Sequence, residues 1–259
     1  MIIHPKKSLG QHFLINEGVI EKIVTAAELQ SDDTVVEVGP GTGNLTKHLI
    51  HNIQRLILIE KDHRLIEPLR ERFGDGSGVE IMEGDVLELN PSNLGLRASG
   101  FKLIANLPYY ITSHFFKTIF ELWPTPERII VMVQKEVAQR IVANPPEANL
   151  LGLSVQLHAT PKMIAHVSAG SFRPVPTVDS AVLKLVPHNQ PLLSLEQEQI
   201  FFSLTRAAFA GKRKKLSNTL HGLVSESIFI QAEIDPSARP QHLTLEQWVV
   251  LARILESNF

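Results

Sequence analysis

Cysteine is missing from this 259-residue sequence, and that absence excludes disulfides, cysteine-ligated zinc and thiol nucleophiles together. A reducing, cytoplasmic setting fits it. No apolar run approaches the roughly 18 residues that cross a bilayer, so no membrane span is expected. The amino-terminal stretch MIIHPKKSLGQHF carries no long apolar core, which argues against a secretory signal. The histidines lack metal-ligand spacing, and no metal is expected. A large excess of one charge is missing too: the net charge is -2. A nucleic-acid partner would therefore have to be met by local patches. Two are visible, Lys6-Lys7 and Lys212-Arg213-Lys214-Lys215. The alternative for the second is a merely solvated helix face.

What is present is organised around TVVEVGPGTG, residues 34–43. A short apolar strand runs into a turn with glycines at 39, 41 and 43, and a helical pattern with Leu45, Leu49 and Ile50 follows. Strand, glycine turn and helix form the first crossover of a nucleotide-binding α/β domain. The spacing is G-x-G-x-G, not the dinucleotide G-x-G-x-x-G, and no lysine follows to grip phosphate. A ligand without a pyrophosphate suits this turn better. S-adenosylmethionine is the leading candidate; a plain tight turn or another nucleotide site are the alternatives. Glu60 ends the apolar run 56–59, about 20 residues after the turn, where such sites place a carboxylate for ribose hydroxyls.

Strand and helix patterns alternate through residues 34–142, which predicts a mostly parallel sheet with helices on both faces. Gly39, Glu60, Asp85 and Asn106 all follow predicted strands and so share the rim where open α/β sheets bind ligands. Segments 162–167 and 178–186 read as strands that complete the sheet with an antiparallel edge. Residues 187–191 read as a linker, after which only helices are expected, at 196–209, 212–223 and 245–257. The division expected is a first domain over 1–187, with residues 1–16 as an extended arm, and a small helical domain over 192–259.

GQHFL (10–14), EVGPGTG (37–43), Glu60, GDVL (84–87), NLPYYI (106–111) and SFRPVPTVDSAV (171–182) occur in one order. In this the chain resembles the bacterial ribosomal RNA adenine N6-dimethyltransferases of the KsgA type, from about residue 5 to its end. The resemblance implies a Rossmann-like class I methyltransferase sheet with a small C-terminal all-α, RNA-binding domain. It implies a cofactor pocket of His12, Leu14, Gly39, Gly41, Glu60, Asp85 and Asn106, with Asp85 on the adenine amine and Glu60 on the ribose. Many relatives carry Asn where this chain has His12, so a backbone contact is expected there. The resemblance also implies a target-adenine pocket of Asn106, Leu107, Pro108 and Tyr109, faced by Phe172. Tyr110 is expected to pack. Lys212, Arg213, Lys214 and Lys215 are expected on RNA.

The chemistry agrees with this reading. An adenine amine is a poor nucleophile, because its lone pair is delocalised into the ring. Acceptors that draw its two N–H groups out of plane restore the lone pair. The Asn106 side-chain carbonyl supplies one, and the backbone carbonyl of Leu107 or Pro108 the other. Tyr109 gives a flipped base an aromatic face. The expected activity is dimethylation of two adjacent adenosines in the 3′-terminal hairpin of small-subunit (16S) rRNA, by a monomer acting on a pre-30S particle. Three other readings stay open: a large-subunit rRNA adenine methyltransferase of the macrolide-resistance type, a non-catalytic assembly factor, and a small-molecule or DNA amino-methyltransferase.

Overall fold

The computed structural model describes residue 6 and residues 10–74, 78–211 and 213–257. Lys7 and Lys212, from the two basic patches, lie outside the described residues. The first half of the chain contains β1 (Phe13–Leu14), α1 (Glu17–Ala27), β2 (Thr34–Val38), α2 (Thr46–Leu49), β3 (Arg55–Glu60), α3 (His63–Phe73), β4 (Val79–Glu83), β5 (Lys102–Asn106), α4 (Thr112–Leu122) and β6 (Arg128–Gln134). There follow α5 (Lys135–Val142), α6 (Leu150–Gln156), β7 (Ala159–Val167), β8 (Phe172–Arg173), β9 (Ser180–Pro187), α7 (Leu195–Ala210), α8 (Leu216–Thr219), α9 (Glu226–Gln231) and α10 (Leu245–Glu256).

Two compact units emerge. One takes the described residues up to Ala138 together with Pro161–Pro187; the other takes Gln139–Thr160 and the described residues from His188 onward. The first holds a seven-stranded sheet in the order β4-β3-β2-β5-β6-β9-β7. Its first five strands pair in parallel, and β9 lies antiparallel to β6. β2, β3, β5 and β6 are buried at nearly every position. Successive side chains on a strand face opposite ways, so both faces of the sheet centre are covered. The antiparallel β9 is inserted inside the sheet, and β7 is the edge.

The register aligns the strand ends: Val38 opposes Ile59 and Ala105, Glu60 opposes Glu83, and Asn106 opposes Met132. The chain therefore leaves β2, β3, β4 and β5 along one rim. Local chemistry holds the exits. Asn16 caps α1 by accepting from the Val19 N–H, and Asp62 caps α3 by accepting from the Arg64 N–H. Gly43 sits at φ +77°, and a Cβ there would come 2.3 Å from the Phe73 ring of α3. Its job is close packing under the turn, not approach to a ligand.

The arm pairs as a ladder: Phe13 opposes Arg173 and Leu14 opposes Phe172, antiparallel. The Ile15 N–H donates to the Ser171 carbonyl at 2.9 Å, and the Asn44 amide donates to the Leu14 carbonyl at 2.8 Å.

In the second unit the boundary differs from the sequence-based division, because residues 139–160 join the C-terminal helices. Leu153 and Leu157 are buried in one cluster with Phe201, Leu204, Phe209 and Trp248. Burying each such side chain is worth about 1.5–3 kcal/mol, which fixes their allegiance. The helix expected over 212–223 shrinks to α8, and α9 adds a helix beyond the expected set. Ser194 and Thr244 form capping boxes at α7 and α10.

Candidate active site

A cleft open to solvent runs along the rim of the first unit. Gly39 and Gly41 line it after β2, Glu60 and Lys61 after β3, Asp85 after β4, and Asn106 to Tyr110 after β5. His12 from the arm and Phe172 from β8 line it as well. All six segments that the sequence singles out thus meet in one place.

Glu60 is buried, and both its oxygens are engaged. Oε2 accepts from the Gly41 N–H at 3.0 Å, and Oε1 accepts from the Asp62 N–H at 2.8 Å. Burial pushes its carboxyl above the usual range, against the pull of those backbone donors. Gly41 is at φ +59°, and a Cβ there would stand 2.8 Å from the Phe13 ring. A Cβ at Gly39 would stand 3.2 Å from the Asn106 carbonyl oxygen. The wall is bare backbone at both places. Asp85 accepts from the Leu87 N–H through Oδ1 at 3.0 Å and from Lys61 Nζ through Oδ2 at 2.6 Å.

Asn106 ends β5. Its Nδ2 donates to the His12 carbonyl at 3.4 Å, and its Oδ1 accepts nothing from the described residues. The Pro108 carbonyl accepts from the Ile111 N–H at 3.2 Å, closing a 3-10 turn over Tyr109–Ile111. Between the two backbone acceptors considered for the amine, Leu107 is the one whose carbonyl the described residues leave disengaged. Tyr109 is half-buried, its hydroxyl shares a 2.8 Å hydrogen bond with Ser180 Oγ, and burial pushes the phenol up.

Some expectations change. Leu14 does not line the cleft: its side chain is buried in the hydrophobic core, and only its backbone serves the arm. Phe172 is in the wall but 1% exposed, fixed by its pairing with Leu14 and packed in the same core. The ring that lies nearly parallel to Tyr109 is that of His12, with centroids 6.1 Å apart and planes at 17°. His12 Nδ1 is 2.7 Å from the Pro174 carbonyl, so the side chain as well as the backbone is placed. Tyr110 does not pack; it is 63% exposed. Lys61 and Tyr110 join the cleft without having been expected there, although each directly follows a residue the sequence singles out. In the second unit, Arg213, Lys214 and Lys215 are exposed on a turn preceding α8, not on a helix face.

Beneath the turn, Glu37 of β2 is 2% exposed and accepts from Thr46 Oγ1 at 2.7 Å. Burial, with a smaller contribution from Glu60, pushes its pKa from 4.5 up to about 8 despite the Thr46 hydrogen bond. The folded protein then holds a proton that the unfolded chain releases near 4.5. Stability is therefore full below that pH and falls as pH rises toward about 8, at up to about 1.4 kcal/mol per pH unit. Thermal melts between about pH 5 and 8 should show this slope in the native protein and a flatter one in Glu37→Gln. Parallel curves would mean that another group carries the proton.

The comparisons with known proteins agree with this geometry. The family model described as ribosomal RNA adenine dimethylase matches residues 3–257. A ribosomal RNA small subunit methyltransferase A of Dehalococcoides mccartyi (strain CBDB1) is 41% identical over 249 residues, covering 94% of this chain and 86% of that protein. The protein of the same name from Geobacter metallireducens is 38% identical over 266 residues, covering 98% of this chain and 96% of its own. A solved dimethyladenosine transferase from Plasmodium falciparum superposes with a TM-score of 0.82 at 26% identity, over 95% of this chain and 98% of that one. The 23S rRNA methyltransferase ErmE does so with a TM-score of 0.78 at 27% identity, over 94% and 99%. The first unit has the class I methyltransferase fold that these structures share. With a family match along nearly its whole length, the chain belongs to the ribosomal RNA adenine dimethylase family and is an rRNA adenine dimethyltransferase.

Proposed function

We propose that the protein uses S-adenosylmethionine to dimethylate two adjacent adenosines in the 3′-terminal hairpin of small-subunit rRNA, acting in the cytoplasm as a monomer on a pre-30S particle. The observation that carries this reading is Asn106: its amide nitrogen is spent on the His12 carbonyl, so its carbonyl oxygen is left to accept from a substrate amine. The likeness to small-subunit enzymes at 41% identity, against 27% for the large-subunit enzyme ErmE, favours the small subunit.

The bare backbone at Gly39 and Gly41 and the carboxylates of Glu60 and Asp85 fit an adenosine-bearing cofactor. Glu60 and Asp85 would hold its ribose and adenine amine, with the His12 backbone nearby. When bound, that group supplies an electrophilic methyl. The chain's own contribution is to aim the nucleophile. Asn106 Oδ1 and the Leu107 carbonyl accept the two N–H bonds of the target amine, which draws the lone pair out of conjugation. Tyr109, braced by Ser180, holds the base by its face. Catalysis is then mainly positioning, and the methylated ammonium loses its proton to solvent without a strong base.

The test incubates the protein and methyl-labelled cofactor separately with undermethylated small and large subunits, and maps the product by mass spectrometry. Dimethyladenosine at adjacent small-subunit positions is expected. Label confined to the large subunit, or no label, overturns the reading.

Arg213, Lys214 and Lys215, with Lys212, are proposed to hold RNA phosphates. The double variant Lys214→Gln/Lys215→Gln should weaken binding to small-subunit particles across RNA sequences. It should also flatten the dependence of log affinity on log salt by roughly 0.7–0.9 for each phosphate left without its lysine. An unchanged slope would make the cluster a solvated turn.

A further inference from the structure

We propose that Tyr110 is a stacking platform for the RNA base that neighbours the target adenosine. The inference rests on the functional reading above and extends it from the modified base to the next one.

Tyr109 and Tyr110 are consecutive in one 3-10 turn, yet their environments are opposite. Tyr109 is braced by Ser180, whereas Tyr110 is 63% exposed while still lining the cleft. Other large apolar residues are comparably exposed, among them Leu195 and Ile230, but neither of those lines the cleft. A Cβ at Gly10 would lie 3.5–3.6 Å from the Cε1 and Cδ1 of Tyr110, so the ring lies beside Gly10, which has no side chain to cover it. An aromatic ring that lines the cleft with most of its surface open offers a base a face for stacking.

The chemistry of the reaction asks for such a platform. A base that swings into the cleft leaves its stack, and its neighbour loses a partner. Stacking on an aromatic side chain is worth about 1–3 kcal/mol per base and does not depend on base identity. If two adjacent adenosines are modified, one platform can serve twice, holding the second base while the first is in the pocket.

The experiment compares native protein, Tyr110→Ala and Tyr110→Phe. The RNA is a synthetic hairpin with two adjacent loop adenosines, alongside the same hairpin with an abasic site at the neighbour position. Tyr110→Ala should bind the intact hairpin about five- to a hundredfold more weakly, and Tyr110→Phe close to normally. The abasic site should cost the native protein the same factor and cost Tyr110→Ala almost nothing more. On small-subunit particles, Tyr110→Ala should raise KM more than it lowers kcat. Its calorimetric affinity for S-adenosylmethionine should be unchanged. Equal hairpin affinities for native protein and Tyr110→Ala, or an equal further loss of both on the abasic hairpin, overturn the platform. In that case exposure of Tyr110 serves a protein contact or nothing. A native protein that methylates no RNA overturns the functional reading and the platform with it; an active one with those binding results overturns the platform alone.

Discussion

Asn106→Ala should lose methyl transfer by at least about 100-fold, for both the first and the second methyl. The expectation follows from what the residue does with each end of its amide. Nδ2 ties the strand end to the arm through the His12 carbonyl, and Oδ1 is left as an acceptor. Alanine removes both. Only the Leu107 carbonyl then remains to accept from the amine, and one acceptor cannot turn both N–H bonds out of the ring plane. Asn106→Asp separates the two functions. It keeps an oxygen for the amine but sets the other against the His12 carbonyl oxygen, which repels it. That variant should show partial transfer with a loosened arm, seen as faster hydrogen exchange at the amides of residues 12–15. Single-turnover assays with mass spectrometry of the nucleosides decide. A wild-type rate and a wild-type ratio of mono- to dimethyladenosine in Asn106→Ala would end the proposed mechanism.

The two-methyl product sets a further condition on the pocket. After the first transfer the amine has one N–H, and one acceptor loses its partner to a methyl group. A base held by its face survives this change, because stacking ignores the state of the amine. The ring nearly parallel to Tyr109 belongs to His12, not Phe172. In the proposed mechanism, recognition of the base is therefore coupled to the arm that also receives the Asn106 hydrogen bond. Its anchors, the Phe13–Arg173 and Leu14–Phe172 pairs, bind the GQHFL and SFRPVPTVDS segments into one structure.

That coupling is the part of the site the sequence hides. The glycine turn, Glu60, Asp85 and Asn106 are readable, because each ends a strand and strand ends follow from local apolar runs. Leu14 and Phe172 are apolar residues beside motif residues, and nothing local distinguishes a cleft wall from a core. Only their antiparallel pairing, far apart in sequence, does so. The same holds for residues 139–160. A proline-rich break at 187–191 advertises a boundary, whereas Leu153 and Leu157 join the C-terminal core through contacts that leave no break. Over 212–223 the leucines have helical spacing, but four cations stand at the amino-terminal end, where the helix dipole disfavours positive charge. The helix accordingly begins only at Leu216.

Glu60→Ala should both destabilise the protein and weaken its affinity for S-adenosylmethionine, and the two effects can be separated. The carboxylate accepts the N–H groups of Gly41 and Asp62 in a site where Glu60 itself is 6% exposed. Removing it leaves two donors unpaired in low dielectric, at a cost of about 1–3 kcal/mol each unless water enters. The melting temperature should fall by several degrees. Asp62 also receives the Gln11 amide at 2.9 Å and pairs with Arg64 at 2.6 Å, so the disturbance spreads to the arm. Glu60→Gln is the informative companion. It has one oxygen for two backbone donors, and its NH2 group must face one of them. It should be less stable than the native protein but close to it in shape. If the carboxylate also accepts ribose hydroxyls, calorimetric titration should show Glu60→Gln binding the cofactor at least about tenfold more weakly, the loss of one charge-assisted hydrogen bond of about 1.5–3 kcal/mol. A lowered melting temperature with an unchanged dissociation constant would make Glu60 a brace for the glycine turn and nothing more. An unchanged melting temperature with weaker binding would mean that its hydrogen bonds to Gly41 and Asp62 are replaceable, and that its purpose is the ligand.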